Sequence, residues 1–363
     1  MTSTRSPMHP LLATACLVVI LAGLKAAEKF FVPVLFALFV AVLFLPVLSW
    51  LRAKRVPNAL ALLLTLVLVA AILLGLAYVM VLSVERVADL VPRYQAQFED
   101  LQATLGPAAA RLGFDVSRES LAKKLDPERL IPLATRALSG VTALAWFLLL
   151  VLLLVVFTFV ESRVFPHKLR AALEEARPGE AVSDDTLPDE AERVVERFAR
   201  ITDDIQRYLV IKTAVSVAMG VVVGVWLWAV GVDLPLLWGL LAFLLNYIPN
   251  IGSVAAAVPP AVLALVQLGT GGAVAVLAGF LLANLVIGNI VEPNLMGRSL
   301  GLSPLVVLLS LVFWGWLWGM IGTLLAVPLA MILKILVENS PNLSWIARLM
   351  DARPHPEPAP KEP

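Results

Sequence analysis

The chain is short of charge, cysteine and histidine. Asp, Glu, Lys and Arg make up only 15% of its 363 residues, against about 25% in soluble domains. The 28 basic and 27 acidic residues nearly cancel, at a net charge of +1, so no basic surface speaks for a nucleic-acid partner. The single cysteine, Cys16, excludes an internal disulfide and any cysteine-cluster metal site. The three histidines, His9, His167 and His355, lie outside the long apolar runs. The zinc-binding HExxH pattern, the P-loop, the GxSxG elbow and a pair of aspartates within an apolar segment are all missing. ATP-driven transport and intramembrane proteolysis therefore have no signature here. A protein that is not an enzyme, with no cofactor and no metal, is expected.

What the chain has is apolar length. Sixty per cent of it is hydrophobic, and several runs reach the 18 or so residues that read as transmembrane helices. The expected fold class is an all-α integral membrane protein whose lipid-bilayer partner is built into its composition. Full spans are predicted at about 10–24, 31–50, 59–82, 141–160, 208–230 and 272–290, with two broken helical hairpins at 235–268 and 304–335. That makes eight hydrophobic segments. The first run lacks a small-residue cleavage site, and a second span follows at once, so it reads as a retained helix and not a signal peptide.

The expected organisation is three N-terminal membrane helices over 1–84, a polar helical extracytoplasmic segment over 85–139, and a fourth span over 140–161. A cytoplasmic helical segment follows over 162–207, its middle, "EARPGEAVSDDTLPDEAE", reading as a mobile loop. Beyond it, Val194, Phe198, Ile201, Ile205 and Tyr208 are spaced 4, 3, 4, 3, as on one helical stripe that runs unbroken into the fifth span. Two units of a span plus a broken hairpin occupy 208–268 and 269–337, and a cytoplasmic tail covers 338–363, disordered at its end. Both termini are expected in the cytoplasm. Arg5, the Arg52/Lys54/Arg55 turn, Lys334, Arg348 and Arg353 then lie inside, and only Lys25 and Lys29 mark the first outside link.

The stretch "NYIPNIGSVAAAVPP" (246–260) places prolines, a glycine and amides inside an apolar run. As one straight helix, 235–268 would be roughly 51 Å long, too long for an apolar core of about 30 Å. A break at 246–253 divides it into two arms. The pattern recurs: "GVDLPLLW" (231–238) faces "GLSPLVVL" (301–308), and "IGSVAAAVPPA" (251–261) faces "IGTLLAVPLA" (321–330) with one gap. Crossing parity makes the two units an inverted repeat, a plan that secondary transporters use. Two long kinked spans are the alternative. Non-helical backbone at membrane depth is tolerated where it is buried or lines a wet cavity. The candidate translocation residues are therefore Asn246, Pro249, Asn250, Gly252 and Ser253 at the first break, and Trp318, Gly319, Gly322 and Thr323 at the second.

Asn284, Gly288 and Glu292 fall at i, i+4, i+8 in the last full span and share one helical face, with Asn289 beside it and Pro293 ending the segment. The candidates Asn284 and Asn289 suit helix packing or solute contact. Glu292 reads first as an interfacial group held by water or a cation such as Arg298, and second as a coupling group. Lys212 is expected to snorkel to the cytoplasmic edge.

"ITDDIQRYLVIKTAVS", "NYIPNIGS" and "GNIVEPNLMGRSLGLSPLVVLLSLVFWGWLWGMIGTLLAVPL", with the EP-x-x-x-G element at Glu292, Pro293 and Gly297, resemble the autoinducer-2 exporter family of bacterial membrane proteins. The resemblance is strong over 201–336, while the first four spans match in number and order only. It implies a homo-oligomeric inner-membrane transporter with a small-molecule or ion substrate. Members are linked to export of the furanone signal autoinducer-2 and others to sodium/proton antiport. Three readings follow: an exporter of a small polar organic solute working by alternating access around breaks at mid-membrane, a cation/proton antiporter, and a non-transporting membrane scaffold.

Overall fold

The computed structural model describes residues 8–93, 127–175, 187–249, 251–296, 302–338 and 344–351. All the regular structure among them is helical. Helix α1 is Met8–Ala26, α2 Glu28–Ala53, α3 Asn58–Arg93, α4 Pro127–Glu175 and α5 Leu187–Val230. Then come α6 (Pro235–Leu245), α7 (Ile251–Ala283), a π-helical segment (Asn284–Val291), α8 (Glu292–Met296), α9 (Pro304–Glu338) and α10 (Ser344–Met350). Among the described residues, six helical stretches are long and apolar enough to cross a membrane: Glu28–Ala53, Asn58–Ser83, Thr142–Ser162, Thr202–Val230, Gly252–Met296 and Pro304–Glu338. The protein is a multi-pass membrane protein.

Helix α3 runs eleven residues past the expected span end at 82, and α4 is 49 residues long with the span in its middle. A helix satisfies its own backbone amides in lipid and in water alike, so these helices continue past their apolar stretches, α4 even through Gly140 and Pro166. The stripe before the fifth span behaves as expected, since α5 is continuous from Leu187 to Val230. The loop expected at 175–192 is correspondingly shorter at its end, for 187–192 already belong to α5. The middle of that stretch, most of the 85–126 polar segment, Asn250, Gly297, Arg298 and the tail after Asp351 lie outside the described residues.

The chain forms two compact units: Met1–Leu62 with Val151–Tyr208 and Arg298–Pro363, and Leu63–Leu150 with Leu209–Gly297. In the second unit, Val215, Met219, Val223 and Leu227 repeat every fourth residue along α5 and are buried with Ala256, Ala257, Ala261 and Ala264 of α7. Lipid tails are as apolar as leucine, so small residues that admit close backbones govern helix packing in a membrane. Gly220 and Gly224, a GxxxG pair on α5, do this against Gly239 of α6. A Cβ added at Gly239 would stand 2.7 Å from Gly220 O and 3.2 Å from Gly224 Cα.

Both expected breaks are present, and at each the chain folds back on itself. Proline at the start of α6 suits a first helical turn; the helix ends at Leu245, and α7 starts at Ile251 after a turn. At the mouth of this hairpin Asp233 N donates to Gln267 Oε1 at 3.0 Å, and Gln267 Nε2 donates to Gly231 O at 3.0 Å. The return arm meets the next span at Gly269 (φ 74°, ψ −167°), a one-residue kink with no intervening loop. In α9 the break is Trp318 (φ −130°, ψ 21°) and Gly319 (φ 63°, ψ −145°), the latter close to a backbone region that only glycine enters readily. Ser310 Oγ donates to Ala326 O at 2.7 Å, a contact that a straight helix, with 16 residues and about 24 Å between them, forbids. The turns correspond locally. A Cβ on Gly252 would collide with the Leu245 carbonyl oxygen, and a Cβ on Gly322 with the Trp314 carbonyl oxygen. Each glycine is what lets the returning arm start against the end of the arriving one.

The last span departs from expectation. Its final eight residues, Asn284–Val291, are π-helical and not α-helical. Pro293 does not end the helix, for helical backbone continues from the π segment through Glu292–Met296.

Candidate functional site

Helix α5 of the second unit brings three polar side chains, Lys212, Thr213 and Ser216, into its apolar stretch, and each has a partner on another element. Asn246, at the end of α6, is buried and donates from Nδ2 to Ser216 Oγ at 3.0 Å, with Ser216 itself fully buried. The hydroxyls of Tyr247 and Thr213 share a hydrogen bond of 2.6 Å. Lys212 Nζ lies 2.5 Å from Glu292 Oε1, the lysine side chain 3% exposed and the carboxylate 18%. One face of one helix thus holds the tip of the first hairpin by an amide and a hydroxyl, and holds the start of α8 by an ion pair.

Lys212 therefore does not snorkel to a polar edge. Snorkelling needs an aqueous end within reach of the stem, whereas here a carboxylate comes to the ammonium. The cation that holds Glu292 is Lys212; Arg298 is outside the described residues. Inside hydrocarbon a charge persists if it is paired, and the pair supplies two strong donors and acceptors where water is scarce.

The remaining expected site residues divide as follows. Pro249 lies in the turn after Tyr247, Gly252 is buried against Leu245 O, and Ser253 is half-buried one residue on. Asn284 is half-buried, its Oδ1 where a Cβ on Gly288 would come within 2.8 Å. The expected shared face of Asn284 and Gly288 is real, although a π turn makes it: i→i+5 bonding widens the turn and keeps i and i+4 in line. Asn289 is exposed.

Trp318, Gly319, Gly322 and Thr323 belong to the first unit and form a second centre. Trp318 is buried, stacked on Trp314 (4.9 Å, 30°) and on Phe31 of α2 (6.0 Å, 22°), and its Nε1 donates to Leu24 O at 3.3 Å. Thr323 Oγ1 donates to Gly319 O at 3.1 Å. Because Phe31 and Leu24 flank the α1–α2 link, this break lies level with that polar link and not with the middle of α2.

Sequence reasoning passed over Lys212, Thr213, Ser216 and Tyr247 as a group. The usable signal was the K-T-x-x-S spacing inside an apolar span, where an ionisable residue marks function by default.

A family model described as AI-2E family transporter matches residues 14–342. The AI-2 transport protein TqsA of Escherichia coli is 41% identical over 336 residues, covering 92% of this chain and 93% of that protein. A putative transport protein of Haemophilus influenzae is 36% identical over 342 residues, 94% of this chain and 95% of its own. A sodium-lithium/proton antiporter of Halobacillus andaensis is 30% identical over 161 residues, 44% of this chain and 45% of its own.

Proposed function

The chain belongs to the AI-2E transporter family, and from that premise we propose that it is a secondary transporter of the bacterial inner membrane that exports a small polar organic solute of the autoinducer-2 type. The observation that carries this is the set of neutral polar groups at the first break: Asn246 on Ser216 and Tyr247 on Thr213. Each hydrogen bond joins a hairpin tip to a helix, and each can be exchanged for a bond to a hydroxyl-rich solute. Neutral hydrogen bonds are worth about 1 kcal/mol apiece. Parting both costs roughly 2 kcal/mol, within the few kcal/mol that separate a minor conformer from a major one. The closed tip is then a ground state from which an open one is within thermal reach.

In this reading the two hairpins are re-entrant and enter from opposite faces as an inverted repeat, and the chain works as a homo-oligomer with both termini in the cytoplasm. The local match of Gly252 and Gly322, each against the end of its arriving arm, supports the repeat. The aromatic second break, with Trp314 and Trp318, suits stacking on a ring-shaped solute.

Cation/proton antiport is the second reading, favoured by one observation: Glu292 is paired with a buried lysine in the apolar part of α5. The partial relative that is a sodium-lithium/proton antiporter points the same way. One experiment tests both readings. Inverted vesicles carrying the chain are given the furanone signal, or sodium, with and without a proton gradient. Furanone uptake that survives dissipation of the gradient and falls about tenfold in Asn246→Ala upholds the first reading; sodium flux that collapses with the gradient, with no furanone uptake, replaces it by the second. No flux of either kind in vesicles that hold the folded protein returns the scaffold reading.

A further inference from the structure

The α1–α2 link places one side chain where the cluster on α5 gives it no task. Lys25 Nζ donates to Trp316 O at 3.0 Å and to Leu317 O at 2.7 Å, and lies 3.2 Å from Glu28 Oε2. The two carbonyls end the arriving arm of α9. The break at Trp318 and Gly319 removes the helical amides that would have bonded them, and the end of a helix carries partial negative charge. An ammonium has three donors and no acceptor; here it meets three oxygens, one of them charged. Trp318, the residue after the two carbonyls, is itself tied by its indole to Leu24 O and stacked on Phe31. Lys25 and Glu28 are 43% and 40% exposed at their side chains, so the ammonium sits in a cradle with an open door.

We propose that the break in α9 is a binding site for a small monovalent cation of ammonium or potassium size, that Lys25 is its tethered resident, and that a free cation can take over the hold of Lys25 on the Trp316 and Leu317 carbonyls. Contacts of 2.7–3.2 Å match a cation that large; magnesium, which demands about 2.0–2.1 Å and a full octahedron, does not fit. Lysine suits the part because its ammonium is a compact point charge on a flexible stem. The site is separate from the cluster on α5, and its occupancy is read without any flux, so it stands or falls apart from the transport reading.

The test is hydrogen–deuterium exchange of the backbone amides of Trp314–Trp318 in the full-length protein in detergent micelles. Choline chloride, ammonium chloride and potassium chloride are compared at equal ionic strength. Two charge-assisted bonds, weakened by solvent screening, are worth about a three- to thirtyfold change in opening. In choline, Lys25→Ala is expected to exchange faster by that factor, while Lys25→Arg stays near wild type. Ammonium or potassium is expected to restore protection to Lys25→Ala. Unchanged protection in Lys25→Ala overturns the proposal, and so does faster exchange that neither cation reverses, since Lys25 is then a helix cap and no more. Should Lys25→Ala fail to fold, Glu28→Gln serves: it leaves the lysine but removes the charged oxygen, and is expected to speed exchange several-fold in choline. No change there sinks the cradle.

Discussion

Cutting the Lys212–Glu292 pair from either side has unequal consequences, and the inequality follows from burial. The lysine side chain is 3% exposed and the carboxylate 18%. Glu292→Leu leaves an ammonium with no counter-charge and no route to water. Breaking a buried pair in this way costs about 3–5 kcal/mol. Lys212→Met leaves a carboxylate that still reaches the edge of the packed helices, and the expected cost is about 1–3 kcal/mol, that of an unsatisfied polar group. Replacing both, as Lys212→Met with Glu292→Leu, removes the charges together and is expected to be close to neutral, because apolar groups of similar volume substitute well for a buried pair. The coupling between the sites, the double-variant cost less the two single costs, is then about −4 to −8 kcal/mol, larger in size than the roughly 0.5–3 kcal/mol that neighbouring residues usually show. Reversible unfolding in mixed micelles titrated with dodecyl sulfate measures all four corners of the cycle. Additive costs, or a Lys212→Met variant less stable than Glu292→Leu, refute the reasoning. The folded double variant also divides the two transport readings. It retains furanone flux if the pair only ties α8 to α5, and loses gradient-dependent ion flux if the pair couples to protons.

Three further outcomes are expected. Thr213→Val together with Tyr247→Phe removes both ends of one hydrogen bond and is expected to cost under about 1 kcal/mol, while either change alone costs about 1–2 kcal/mol; the same unfolding assay reports it, and equal costs for single and double variants contradict the pairing. Gly252→Ala and Gly322→Ala each drive a Cβ into a backbone carbonyl and are expected to lose about 1–3 kcal/mol, visible as lowered melting temperatures in micelles; one tolerated and one not means the turns are not equivalent. In a Cys16→Ser background, a cysteine at Gly271, where an added Cβ meets open space, is expected to label from outside the cell and one at Ser303 from inside; the reverse pattern excludes re-entrant hairpins.

The spans were legible because their cause is one-dimensional: apolar length against bilayer thickness needs no knowledge of neighbours, and the stretches at 31–50, 59–82, 141–160 and 208–230 all appear within helices of the structure. The two breaks were legible for a similar reason, since glycine and proline act on their own backbone. The helix edges were less so, because a polar sequence after Ser83 or before Leu209 is no obstacle to a helix that pairs its own amides. The candidate site was legible by halves. Asn246 and Glu292 stood out as polar groups in apolar surroundings, whereas Lys212 read as an edge residue because its partner lies 80 positions away.

Composition and local pattern by themselves determined that this chain lives in a membrane, where it is helical, and where the helices must break. Only the tertiary structure decided what closes each break: Ser216 and Thr213 for the first, and for the second Lys25, reaching carbonyls 291 and 292 positions along the chain. It also decided that Asn284–Val291 is π-helical, which the i, i+4 spacing of Asn284 and Gly288 did not mark. The physical reason is that burial and helix propensity are properties of a residue and its near neighbours, while a hydrogen bond or an ion pair belongs to two groups at once and exists only when the fold has brought them within about 3 Å.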